Sequence, residues 1–384
     1  MEKGNEIKTV VPTLRFPEFR EMNGWEILPM EYLCQILNNQ RKPIPEILRV
    51  KGPYPYYGAS GIVDYINNYI FDEELLLIGE DGAKWGAYEN SAYIANGKYW
   101  VNNHAHVLRP IRVNIVVLKN YLIQLDLTQY ITGAAPPKLT LGKLKEIRIP
   151  ISKKTQEQQK IADCLSSLDE LIEATTQKVE ALKEHKKGLM QRLFPAEGKN
   201  VPDLRFPEFQ ASEKWKRKII QDICNITTGN KNTQDKKENG IYPFFVRSPK
   251  VERIDSWSFD GEAILTAGDG VGVGKIFHYY VGKMGVHQRV YLLYDIQCNS
   301  KYLYYFFSEF FYERVKKMSA KNSVDSVRKD MISDMPLLLP SSQEQQKIAD
   351  CLSSLDELIE ATSRKVEILK EHKKGLMQQL FPKI

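Results

Sequence analysis

The chain has 384 residues, of which 42% are hydrophobic and 27% charged, and a formal net charge of +6. That composition suits ordinary soluble cores, and so mild a basic excess permits a nucleic-acid partner without demanding one. No apolar run approaches the ~18 residues of a membrane span, and the start, Met1-Glu2-Lys3-Gly4-Asn5-Glu6, carries acid and no apolar stretch, so a cytoplasmic protein with no membrane contact is expected.

The first predicted element is a short opening motif, Val11-Pro12-Thr13-Leu14-Arg15-Phe16-Pro17-Glu18-Phe19. From Trp25 to about Pro150, short β-branched and aromatic runs broken by Gly, Asn and Asp turns predict a mixed, strand-rich domain. Ile161, Leu165, Leu168, Ile172, Thr175, Val179, Leu182, Lys186, Leu189 and Leu193 then follow at alternating spacings of four and three, the a/d series of a heptad helix. Pro195 stops it, since proline cannot continue the backbone ladder. A helix of about 37 residues would be roughly 55 Å long, a spacer as much as a core.

The same elements then recur. Val201 to Phe209 repeats the opening motif with one change, Asp203 for Thr13, and Trp215 matches Trp25. A second strand-rich stretch follows, with Tyr302 to Val315 reading as a helix full of aromatics. The second heptad series is Ile348, Leu352, Leu355, Ile359, Thr362, Val366, Leu369, Lys373, Leu376 and Leu380, closed by Pro382. Gln156 to Pro195 and Gln343 to Pro382 differ only at Thr176/Ser363, Gln177/Arg364, Ala181/Ile368 and Arg192/Gln379, so 36 of 40 positions are identical. The middles share only a skeleton. Tyr54 to Ser60 aligns with Tyr242 to Ser248, and Phe71-Asp72 with its following Leu75 to Gly82 aligns with Phe259-Asp260 and Ala263 to Gly270. Duplication alone would have spread the divergence evenly. Its concentration in the middles implies one shared frame and two unlike recognition surfaces.

Two identical seams can bury each other inside one chain or pair two chains. The second seam is always at high effective concentration, which favours the intrachain pair; an antiparallel pair would place the globular parts at opposite ends about a pseudo-two-fold axis. Polar Thr175 and Lys186, with Thr362 and Lys373, are expected to fix register. Leu171 and Leu358 lie off the stripe, where they could widen it for a second protein.

The remaining motifs are weak. Cys34 matches Cys224 and Cys164 matches Cys351, Cys298 stands alone, and no CxxC occurs, so neither a zinc site nor a disulfide frame is expected. Gly270-Val271-Gly272-Val273-Gly274-Lys275 lacks the Gly at position 269 and the Ser or Thr at 276 of a Walker loop and reads as a tight turn. His104 and His106 lack the further ligands of a metal set, and His185 and His372 read as solvated. No nucleophile motif is present, so no catalytic residue and no metal ligand is assigned. For DNA contact the candidates are Ser60, Lys84, Trp85, Asn103, His104 and Lys138 in the first middle. In the second they are Arg247, Ser248, Lys250, Arg253, Lys275, His287, Arg289, Lys321, Asn322 and Arg328. Arg and Asn suit bidentate base contacts and Lys suits phosphates.

Two unlike middles, each followed by Gln-Glu-Gln-Gln-Lys-Ile-Ala-Asp-Cys-Leu-Ser-Ser-Leu-Asp-Glu-Leu-Ile and a long heptad helix, resemble the specificity subunit of a type I restriction-modification system over essentially the whole chain. The resemblance implies an α+β chain of two similar mixed α/β target recognition domains separated by an antiparallel coiled coil. The expected segments are 1–152, 153–195, 196–340 and 341–384. It also implies that each domain reads one half of a split, asymmetric sequence in double-stranded DNA, that the helices dock two modification subunits which methylate adenine, and that restriction subunits add translocation and cleavage. S-adenosylmethionine, ATP and Mg would then belong to those other chains, with no cofactor bound here. The rivals are an adaptor without salt-dependent DNA affinity and a stand-alone nuclease using Asp81 and Asp269.

Overall fold

The structure, a computed structural model, describes residues 9–270, 272–319 and 326–384. Its two long helices, Thr155–Leu193 and Ser342–Leu380, have 39 residues each and end two residues before Pro195 and Pro382, because the residue preceding a proline is pushed out of the helical region. The chain divides into two compact units: residues up to Thr176 with Arg364–Ile384, and Gln177–Ser363. Each unit thus takes the start of one long helix and the end of the other, and the division cuts across the four segments expected from sequence.

In the first unit, a four-stranded sheet runs in the order Cys34–Ile36, Ala105–Pro110, Leu75–Gly79, Ala92–Ala95, all antiparallel. A second sheet, ordered Gly61–Ile66, Lys51–Gly58, Lys98–Val101, Phe71–Asp72, contains one parallel pairing, Tyr56 opposite Trp100. Ile115–Gln124 forms a helix capped by Asn114, whose side chain accepts from the N–H groups of Val116 and Val117. One core joins this helix to both long-helix ends. Ile161 and Leu165 bury with Met377, Leu380 and Phe381, while farther along Asp169 Oδ1 lies 2.6 Å from Lys373 Nζ. Rising numbers on one helix meet falling numbers on the other, so the pairing is antiparallel.

The second unit repeats the plan. A six-stranded sheet is ordered Asn225–Thr228, Val290–Tyr294, Phe259–Ala267, Phe277–Val286, Tyr242–Phe245, Glu252–Ile254, again with one parallel pair, Phe244 opposite Gly285. Ser300–Met318 is the aromatic helix, capped by Asn299 and burying Tyr302, Phe306, Phe307 and Phe311. Leu193 and Phe194 bury with Ile348 and Leu352, and Lys186 Nζ reaches Asp356 Oδ1 at 2.5 Å, antiparallel once more.

Along the seams, Ile161, Leu165, Val179, Leu193, Ile348, Leu352, Val366 and Leu380 are buried. Leu168, Ile172, Leu182, Leu189, Leu355, Ile359, Leu369 and Leu376 are half-buried, and none of the sixteen is exposed. The polar members are satisfied in matching ways. Thr175 and Thr362 donate to the carbonyls of Leu171 and Leu358, both at 2.6 Å, and each seam lysine meets an aspartate of the facing helix, with the Tyr305 hydroxyl also donating to Asp356 at 2.6 Å.

The opening motif and the Glu-Gln-Gln run are two halves of one clamp. Arg15 donates from Nε to Glu157 Oε1 at 2.6 Å and from Nη2 to Glu157 Oε2 at 2.9 Å, both side chains being buried. One residue earlier, the Leu14 N–H bonds the Gln379 carbonyl at 2.9 Å. A single dipeptide, Leu14-Arg15, therefore holds the start of one helix and the end of the other. The next two residues of the helix grip the globular part: Gln158 Oε1 accepts from the Asn114 N–H at 2.7 Å and Gln159 Oε1 from Asn114 Nδ2 at 3.1 Å. In the second unit, Arg205 forks onto Glu344 at 2.7 Å by both nitrogens, and Leu204 N–H bonds the Arg192 carbonyl at 2.8 Å. Gln345 and Gln346 hold Asn299 at 3.0 and 2.8 Å. Removing one partner of a buried ion pair strands the other, at roughly 3–5 kcal/mol. Glu157→Ala is expected to lower unfolding stability by about that amount and to expose the start of its helix to amide exchange, read by calorimetry and hydrogen exchange, with Glu344→Ala doing the same in the second unit.

Candidate nucleic-acid interface

In each unit an aspartate just beyond the end of a strand gathers two basic side chains at the surface. After Leu75–Gly79, Asp81 Oδ1 lies 2.5 Å from His104 Nδ1 and its Oδ2 lies 2.9 Å from Lys138 Nζ. The carboxylate is largely covered while the imidazole and the ammonium stay substantially exposed. Two backbone features fix this arrangement. The Asn102 side chain accepts from the His104 N–H at 2.8 Å, and Lys138 forms a short antiparallel bridge to Asp81. The Ala59-Ser60 turn abuts the same strand end, since a Cβ on Gly79 would stand 2.7 Å from the Ala59 carbonyl. Beneath lies a tier of polar groups that sequence reading missed. Arg41 Nη1 donates to Glu80 at 2.7 Å, to the Ala105 carbonyl at 2.8 Å and to the Asn103 carbonyl at 3.3 Å, and buried His106 contacts Asn38 and the Leu139 carbonyl.

The second unit has the same geometry with different groups. Asp269 accepts from Arg247 Nη1 at 2.7 Å and from Arg289, and an antiparallel bridge joins it to Ser326 where the first unit has Lys138. Gly270 and Gly274 take positive φ in the glycine-rich turn, and a Cβ on Gly272 would fall 2.0 Å from Ile276 Cδ1 and 3.1 Å from the Arg247 carbonyl. The turn exists for close packing behind Arg247. Burial pushes the carboxyls of Asp81 and Asp269 up, and bonds from Lys138 and His104, or Arg289 and Arg247, outweigh it and hold both below the usual range. A depressed carboxyl keeps its partners above the ordinary carboxylate pKa and loses them only as pH falls through the lowered value.

His104 and Lys138 meet Asp81, and Arg247 and Arg289 meet Asp269; Asn103 is exposed beside His104 with its carbonyl accepting from Arg41, and Ser60 is exposed in the turn that abuts Gly79. Lys84 is exposed and stands 3.9 Å from Glu89. Ser248 and Lys250 close a turn, Ser248 Oγ accepting from the Lys250 N–H at 3.0 Å. Arg253 donates to the Gly240 and Ile241 carbonyls, both at 2.9 Å, Lys275 stands 4.7 Å over the Tyr312 ring, and Arg328 is exposed beside Asp330 at 3.3 Å. Two expectations need correcting. Trp85 is only 8% exposed and donates Nε1–H to the Gly79 carbonyl at 3.1 Å, so it is core. His287 is 4% exposed, its Nδ1 accepting from the Arg289 N–H at 3.1 Å; burial pushes its pKa down, and it positions Arg289 instead of meeting solvent. Lys321 and Asn322 lie outside the described residues. No group of three or more His, Cys, Asp or Glu able to hold a metal occurs among the described residues, and Asp81 and Asp269 are occupied by basic side chains. No helix there is long and apolar enough to cross a membrane.

The family model described as the type I restriction modification DNA specificity domain matches twice, over residues 22–184 and 212–371. The chain belongs to this family, whose members are recognition subunits without catalysis of their own. Over 144 residues it is 40% identical to a Haemophilus influenzae protein carrying the name of a type I restriction enzyme specificity subunit, a match spanning 36% of this chain and 37% of that one. The MjaVIII specificity subunit of Methanocaldococcus jannaschii is 22% identical over 411 aligned positions, covering 94% of this chain and 95% of the relative. In fold, the chain is similar to a type I restriction-modification S subunit from M. genitalium, with a TM-score of 0.70 at 15% identity, covering 97% of this chain and 100% of that one.

Asp269→Asn keeps the shape of the acceptor and removes its charge, freeing Arg247 and Arg289 to wander. Discrimination between the DNA sequence the chain recognises and a scrambled duplex, measured by competition binding, is expected to fall about tenfold, the scale of one bidentate base contact.

Proposed function

We propose that the chain reads a two-part, asymmetric DNA word, one half per unit, and presents its paired helices to two adenine-methyltransferase subunits, with restriction subunits joining that complex. The observation that carries this is chemical difference on a common frame. At matched strand ends one unit offers His104 and Lys138 around Asp81, and the other offers Arg247 and Arg289 around Asp269. Arginine forks suit guanine O6 and N7, whereas imidazole and ammonium groups address other acceptors; two such readers favour unlike half-sites. Ser60 and Asn103 join the first reader, while Ser248, Lys250, Lys275 and Arg328 flank the second. Arg253, spent on backbone carbonyls, holds the hairpin that carries the second reader. In this reading unread base pairs lie between the two half-sites. S-adenosylmethionine, ATP and Mg belong to the partner subunits in this reading.

Exchanging Trp215 to Pro340 for the equivalent segment of another such subunit is expected to change one half of the methylated word and leave the other intact. Single-molecule methylome sequencing of cells carrying the exchange reads this directly, and a change in both halves contradicts it.

A further inference from the structure

The two readers differ over most of their surface, so a surface feature kept by both marks something that both half-sites share. One such feature lies on the strand leading into each cation cluster. Phe71 pairs with Tyr99 and Asp72 with Lys98, as Phe259 pairs with Met284 and Asp260 with Lys283. The Ile70 N–H bonds the Tyr99 carbonyl at 3.0 Å and the Ser258 N–H bonds the Met284 carbonyl at 2.8 Å. This register places Tyr69 on Trp257 and Lys98 on Lys283. In the first unit the Lys98 ammonium stands 4.9 Å from the Tyr69 ring centroid; in the second, Lys283 stands 5.1 Å from that of Trp257. The rings are 37% and 45% exposed and both lysines are exposed; Asp72 and Asp260 stand across the ladder from them without an ion pair, and the Tyr69 hydroxyl and then Asp72 raise the Lys98 pKa. The aromatic residue differs between the units while the arrangement does not.

We propose that Tyr69–Lys98 and Trp257–Lys283 are twin phosphate anchors that hold each reader on the DNA backbone. The inference rests on the DNA-reading function above and adds a division of labour: unlike groups at the strand ends read bases, and this like pair grips what every duplex has. From Lys98 to Val101 and from Lys283 to Val286 the chain runs as strand, about 10 Å at ~3.3 Å per residue, before the turns that carry His104 and Arg289. That offset is of the order of the ~12 Å width of the major groove, so a cluster seated at base edges leaves the lysine near the bordering phosphates. A lone ammonium is a point charge suited to phosphate. The ring beneath supports its flexible stem, reducing the entropy lost when the contact forms.

The test uses the full chain assembled with its methyltransferase subunits, carrying Lys98→Gln, Lys283→Gln or both, on two duplexes: one bearing the word methylated in cells and one scrambled. Each substitution is expected to reduce the slope of log K against log salt by about 0.9, and the pair by about 1.8, on both duplexes alike. The preference for the methylated word is expected to hold, and Lys→Arg to restore the slope. A double variant with the full slope overturns the anchors, as does weakened binding of the methylated word alone. Loss of assembly with the methyltransferase subunits at unchanged slope also overturns them, marking a protein contact. If the unsubstituted complex shows no preference for the methylated word, the DNA-reading function itself falls and the anchors with it.

Discussion

Everything else in this molecule depends on the clamp at each helix start, where a buried arginine forks onto the first glutamate of the helix. The neighbouring leucine N–H catches the last carbonyls of the antiparallel helix. Arg15 with Glu157 and Arg205 with Glu344 share the same geometry, and the glutamines that follow hold the asparagine capping the domain's own helix. A charge pair that far from water is a poor source of net stability, but it is intolerant of alternatives, because any register that separates the partners leaves an uncompensated charge. The seam lysines add a second check on register, Lys186 to Asp356 and Lys373 to Asp169. Together they explain why the helices and the opening motif barely vary between the repeats: a change in either member of a clamp must be matched by the other.

The middles are free to vary because nothing in the clamp reaches their outer loops. The frame fixes where each strand ends, and the residues on that end set the chemistry. Asp81 and Asp269 are retained as shared acceptors, each holding two basic side chains together, His104 with Lys138 and Arg247 with Arg289. That separation between an invariant acid and exchangeable cations is a physical route by which one fold can carry different specificities.

The heptad spacing and the repeat were legible because both are written in local sequence, and the paired helices follow from them. The Glu-Gln-Gln run served as a signature, yet its mechanism was hidden: its partners Arg15 and Asn114 lie 142 and 44 residues away. The division of each long helix between two units was equally invisible, since a heptad does not say which globular part its outer face meets. Trp85 was misplaced because it follows Lys84 in a glycine-rich loop, where only tertiary packing shows that the ring turns inward. His287 was misplaced for a related reason, its ring buried against Thr233 and the Arg289 backbone. Asp81-Gly82 and Asp269-Gly270, present in both middles, are the sequence signal for the acceptors. Lys98 and Lys283 carried no sequence signal, because their match depends on strand register.

The central claim is that two distinct readers on one frame address two separate stretches of the same duplex. Hydroxyl-radical footprinting of the complex with its methyltransferase subunits, on a duplex bearing the methylated word, tests it most directly. Two protected stretches of unlike sequence, separated by base pairs whose identity does not affect binding, are predicted; a single uninterrupted recognised word would contradict the account.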